Sequence, residues 1–213
     1  MNAQRATHSL SALATVVLTT ILCACHKAPE EIKVDKNIAA SMEAFKSRTI
    51  HEKLTPEMLA SIADDAVEQA VIDYVSAKIG DDYDHEIQIV SKLPIGAQAL
   101  YITWWVEAEV NNGGFNQYYW NSAGQFADQA AEAFEFFSAH EHAALMREAN
   151  SVHAMEAEKI KKYKDLGTME AFSDSYKESK LGPVDDRFME MKENLSALRI
   201  AKIRSSPEFF SGT

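Results

Sequence analysis

Apolar side chains recur along this chain with a period near 3.6 residues, the spacing of an amphipathic helix. Ile38, Met42 and Phe45 fall on one face of a helix expected over 36–50. Thr55-Pro56-Glu57 reads as a helix start, with an N-cap hydroxyl, a proline where no amide hydrogen is needed, and an acid in the first turn. Leu59, Ile62, Ala66, Ala70, Tyr74 and Ile79 then keep the helical period until Gly80. One helix is expected there, with Asp64, Asp65 and Glu68 on its solvent side. Asp81-Asp82-Tyr83-Asp84 reads as a loop. His85 to Val90 alternates weakly, but an isolated strand has no partner, so an irregular or helical segment is expected. Leu93-Pro94 opens a helix that runs to Val110 and ends at Asn111-Asn112-Gly113-Gly114. Further helices are expected over 127–138, 141–150 and 152–166, the last stopped by Gly167. Gly182-Pro183 separates a short amphipathic piece from a final helix over 185–204. No alternating run rich in Val, Ile and Thr occurs, and the expectation is an all-α fold, one multi-helix domain over 37–213.

The first residues follow a different pattern. Leu10 to Leu22 is a run of thirteen uncharged residues preceded by Arg5. A basic n-region, a short apolar h-region and small residues after it make a secretory signal peptide, and the run is too short to span a membrane comfortably. Leu22-Cys23-Ala24-Cys25 resembles the bacterial lipobox, which implies a signal peptide over 1–24 and a lipid on Cys25. His26 follows that cysteine where an Asp would favour the inner membrane, so the expected location is the outer membrane, facing the periplasm. Residues 25–36 then form the lipidated cysteine and a short polar tether. Both cysteines of the chain lie in this segment. The mature domain has none for a disulfide, a thiolate nucleophile or a metal site, and must be held by its core.

The net charge is −11, unevenly spread. Residues 52–90 hold ten acids against Lys53 and Lys78, whereas residues 151–213 hold eleven acids and eleven bases. The acidic part repels nucleic acid and steers a basic partner. Its acids Glu57, Asp64, Asp65, Glu68, Asp81, Asp82, Asp84 and Glu86 are the candidate partner-binding residues. A solvated helix face that keeps the protein soluble is the plainer reading of any one cluster.

Residues 104–121 crowd aromatic, small, amide and acidic side chains together. Asn112-Gly113-Gly114 suits a helix C-cap, because Gly and Asn tolerate left-handed backbone. Phe115, Tyr118 and Tyr119 would start a second helix packed on Trp104 or Trp105. Glu109, Gln117 and Asn121 are placed to satisfy backbone groups freed at the corner. Trp105, Glu109, Asn112, Gly113, Gly114, Phe115, Gln117, Tyr118 and Asn121 resemble the signature of the DNA-mimic protein family, over about residues 55–150. The resemblance implies an all-helical acidic domain without known enzymatic activity, one that presents carboxylates spaced like DNA phosphates to a DNA-binding protein. Two features depart from it: the export signal, and a neutral C-terminal third carrying Lys159, Lys161, Lys162 and Lys164. The fold transfers further than the function.

No catalytic constellation emerges. Glu109 as a general acid or base has no nucleophile or histidine near it in sequence, so a capped structural corner is the reading adopted. His140 and His142 point about 200° apart on a helix, and His153 follows eleven residues later, so no metal ligand set and no cofactor is expected. The lysine run reads as a solvated face, with lipid headgroups as the alternative. The expected function is a periplasm-facing lipoprotein that neutralises a protein partner, foremost an immunity protein against an antibacterial toxin, with a basic toxin or an envelope enzyme as partner. A periplasmic hydrolase using Glu109 and a structural envelope lipoprotein are the alternatives. DNA mimicry fits an exported protein less well.

Overall fold

The computed structural model describes residues 36–212, so the expected signal peptide, Cys25 and the expected tether up to residue 35 lie outside the described residues. Contacts divide the chain into two units, with the boundary between Thr49 and Ile50. In the first, the described chain forms α1 (Lys36–Ser47), where the Ile38, Met42, Phe45 spacing placed a helix.

In the second unit the start signal works as its chemistry requires. Thr55 caps α2 (Pro56–Ser61), its hydroxyl accepting from the Met58 N–H at 3.2 Å. The single long helix expected here is two, because Ile62 and Ala63 adopt extended backbone before α3 (Asp64–Ile79). Arg204 explains why the break is stable. Its guanidinium donates to the carbonyls of Leu59 and Ile62, which the interruption leaves free, and to the Asp64 carboxylate at 2.8 Å. The break also resets the helical phase. Ala66 is exposed, and Val67, Val71 and Val75 are buried beside Ala70, Tyr74 and Ile79.

A 3-10 turn at Tyr83–His85 and α4 (Glu86–Val90) bear out the helical preference for that segment. Next comes α5 (Ile95–Trp120), around which α3, α6 (Ala127–Phe136), α7 (His140–Leu166), α8 (Met169–Glu178) and α9 (Gly182–Glu190) pack. Its inner face buries Leu100, Val106, Val110 and Phe115 almost completely. The fold is all-α, and among the described residues the one β-bridge joins Leu54 to Gly212 near the two ends of this unit.

Two boundaries differ from the sequence reading. α7 is continuous where two helices were expected, since nothing at Ser151 breaks it. The final helix is instead α9 and α10 (Leu195–Ser205). The four residues between them have work of their own. Asn194 caps α10, accepting from the Ala197 N–H at 3.0 Å. Glu193 accepts from the backbone N–H groups of Glu141 and His142 and bonds the His142 ring at 2.6 Å, so it caps the first turn of α7 from another helix pair.

Burial pushes the Glu193 carboxyl upward, but the three hydrogen bonds outweigh it and hold it below the ordinary glutamate range. A depressed folded-state value contributes stability above the unfolded pKa of about 4.3, and loses it as pH falls through the folded value. Glu193→Gln is therefore expected to lower stability at pH 7 by about 2 kcal/mol. Its deficit against the parent should shrink as urea melts are taken from pH 6 to pH 3.

Candidate functional site

The sequence is densest in chemistry where α5 breaks. Gly113 and Gly114 leave helical backbone inside the helix, and Gly114 takes φ 72° and ψ 179°, a region open only to glycine. The chain turns at this point and resumes as helix from Phe115. Freed backbone groups on both sides of the break need partners, and these come from α8 and α9. The Phe115 N–H donates to Asp185 Oδ1 at 2.7 Å, and the Tyr176 hydroxyl donates to the Gly113 carbonyl at 2.6 Å. Buried Asn116 donates to Ser175 Oγ at 2.7 Å, and the Phe115 ring meets Phe188 edge-on at 5.7 Å.

Side-chain size reinforces the choice of glycine. A Cβ on Gly114 would sit 2.5 Å from Asp185 Oδ2, and one on Gly113 would collide with the Gln117 amide. Burial raises the Asp185 carboxyl above the ordinary aspartate range, against the Phe115 hydrogen bond that lowers it. Tyr176 is pushed up to about 12 by burial and by the nearby charges of Asp185 and Glu109.

Glu109 behaves differently from expectation. Gln117 and Asn121 do not reach freed backbone groups; both donate to Glu109 Oε2, at 2.7 and 2.8 Å. The three side chains form a closed network across the outside of the bend. Trp105 packs against Tyr101 and Trp104 within α5 rather than under Phe115. Tyr118 is fully buried and Asn112 exposed. Asp185, Tyr176 and Ser175, which complete the corner, were missed from sequence, since they lie more than fifty residues downstream of the motif they serve.

The acidic candidates do not form one face. Asp64 and Asp65 begin α3 and Asp81, Asp82 and Asp84 follow its end, so the exposed acids make two clusters separated by the helix, about 24 Å long. Glu57 is exposed near the first cluster, at the start of α2. Within that cluster Asp64 pairs with Arg204, and Glu68 accepts from Ser196 at 2.5 Å and lies 3.5 Å from Arg199. Arg199 is buried and also binds Glu107 at 2.7 Å. Glu86 must be removed from the surface set. It is buried, takes 2.6 Å hydrogen bonds from Tyr101 and Gln125, and its carboxyl is raised by burial.

Most of the remaining candidates have partners within the chain. His140 bonds Glu135 and His142 bonds Glu193, each at 2.6 Å, so the two rings serve separate carboxylates. Of the lysine run, Lys159 pairs with Glu178, Lys161 with Asp165, and Lys164 donates to the Tyr119 carbonyl at the end of α5.

An acidic all-helical domain organised around a glycine break is the class that fold and site define. The chain belongs to the DMP19-like protein family, whose profile matches residues 91–206. That is a DNA-mimic family of acidic, protein-binding character. The match starts later than the resemblance over 55–150 and runs through the C-terminal third, as it must if α8 and α9 supply the partners of the corner. No curated protein and no solved structure matches the chain.

Gly114→Ala is expected to cost about 3 kcal/mol or more in chemical denaturation, through backbone strain and the Asp185 contact together. Asp185→Ala should cost about 1–3 kcal/mol by orphaning the Phe115 N–H. Asp185→Asn keeps an acceptor and removes a carboxylate that is disfavoured by burial, so it should stay within about 1 kcal/mol of the parent at pH 7.

Proposed function

We propose that this protein is a periplasm-facing lipoprotein, anchored through Cys25, that binds and neutralises a basic protein partner, foremost an antibacterial toxin. The observation that carries the reading is charge on a rigid frame. Residues 50–213 hold 28 acids against 15 bases, in a family of acidic protein-binding members. The buried pairs use up some of this charge, and the exposed Asp81, Asp82 and Asp84 after α3 are the acids best placed to meet a partner. Such a loop attracts a basic active-site cleft over roughly a Debye length, and shape and aromatic contacts then fix the complex. DNA mimicry is the less favoured form of the same binding chemistry, because the acids divide into two clusters and the sequence carries an export signal.

The test is capture from envelope and competitor extracts with the mature chain, followed by kinetics on the partner recovered. One stoichiometric basic partner is expected, with an association rate that falls about tenfold or more between 50 and 500 mM salt. Asp81→Asn/Asp82→Asn/Asp84→Asn should slow association and leave dissociation nearly unchanged. Absence of any tight partner, or an association rate indifferent to salt, would overturn the reading.

A further inference from the structure

The segment least explained by the binding role is α1. Its twelve residues carry Ile38, Met42 and Phe45, which are 56%, 47% and 43% exposed. At about 100° per residue, Met42 lies about 40° to one side of Ile38 and Phe45 about 20° to the other. The three make one narrow apolar stripe. Lys46 sits about 80° from its centre, while Glu43 lies about 140° away, toward the opposite face. Just beyond the helix end, the Arg48 guanidinium lies 3.6 Å over the Phe45 ring, on the apolar side. Lys36 falls about 160° from Ile38 on the far face, so it is Lys46 and Arg48, beside the stripe, that give the arrangement of a helix lying in a lipid interface, where long basic side chains reach the headgroups.

Charge distinguishes this segment from the rest of the chain. Residues 25–49 hold five bases against four acids, and 36–49 three bases against Glu43 alone, whereas the remainder is strongly acidic. A helix of twelve residues is marginal in water by itself, and an apolar face settled on a surface stabilises it. It is also too short to cross a bilayer, and among the described residues no helix is long and apolar enough to do so. Ten residues lie between Cys25 and Lys36, a reach of at most about 40 Å, so a lipid on that cysteine keeps α1 close to the headgroups.

We propose that α1 docks on an anionic bilayer surface through Ile38, Met42 and Phe45, with Lys46 and Arg48 on phosphate headgroups, as a second attachment beside the lipid. The proposal rests on the lipid-anchor reading of Cys25 for its proximity to the membrane.

Every buried core residue lies at or beyond Leu54, so a chain starting at Cys25 keeps the whole core. That chain is coupled through the Cys25 thiol to a maleimide lipid in vesicles containing phosphatidylglycerol, and amide hydrogen exchange of residues 38–47 is followed. The coupling supplies the anchor chemically, so this result is independent of lipidation in the cell, which palmitate labelling of the parent and of Cys25→Ser tests separately. Coupling should slow exchange in α1 about tenfold or more. Ile38→Glu/Met42→Glu/Phe45→Glu should abolish that gain. Lys46→Glu/Arg48→Glu, or vesicles of phosphatidylcholine alone, should reduce it about fivefold or more. Unchanged exchange on coupling would overturn the proposal. So would equal protection in the uncoupled chain, which would mean that α1 docks on protein, and so would protection indifferent to the charge changes.

Discussion

The hydrogen bond from the Phe115 N–H to Asp185 is the interaction on which the rest of this fold turns. An unbroken helix over Ile95–Trp120 would carry its second half straight on, away from α8 and α9. The break at Gly114 redirects it, and the backbone groups that it frees are satisfied by side chains of those two helices. Phe115 can then pack on Phe188, and Tyr119 stacks on His153 at 3.9 Å. A glycine without a Cβ, a half-buried carboxylate and a tyrosine hydroxyl therefore act as one unit. Loss of Asp185 leaves the N–H of buried Phe115 without its partner, which costs more than the bond itself contributes.

Charge follows the same logic at a larger scale. The bases of α10 reach back across the domain: Arg204 braces the α2–α3 break, and Arg199 binds Glu107 in the interior beside Glu68. A C-terminal third that is neutral by count is thus a partner to the acidic first half. What remains for the surface is smaller and more localised than the formal charge suggests, with the exposed aspartates after α3 as its clearest group. For a binding protein this division is useful. Acids bound to the bases of α10 hold the frame, and the exposed cluster after α3, in which Asp82 bonds His85, adds to the long-range field that raises encounter rates.

Much of the architecture was written locally. The Thr55-Pro56 cap, the glycine stop at Gly80, the helical choice for Glu86–Val90 and the bend at Gly113-Gly114 each depend on residues within a turn of one another. Such features can be read from sequence because propensity and capping act over a few residues. Two of the errors come from distant partners. Ile62-Ala63 looks like helix interior until Arg204 arrives to hold the Leu59 and Ile62 carbonyls, and Glu193, between α9 and α10, is engaged at the start of α7.

The sequence by itself determined the all-helical class, the acidic character and the glycine corner, because periodicity, composition and backbone freedom are local properties. Only the tertiary structure decided which acids are available and what holds the corner. Glu86 reads as one more surface acid until Tyr101 and Gln125 enclose it, and Asp185 shows no tie to Phe115 until seventy residues of chain fold back. The physical reason is that solvent exposure and hydrogen-bond partnership belong to pairs of distant residues, and no pattern within one helix encodes them.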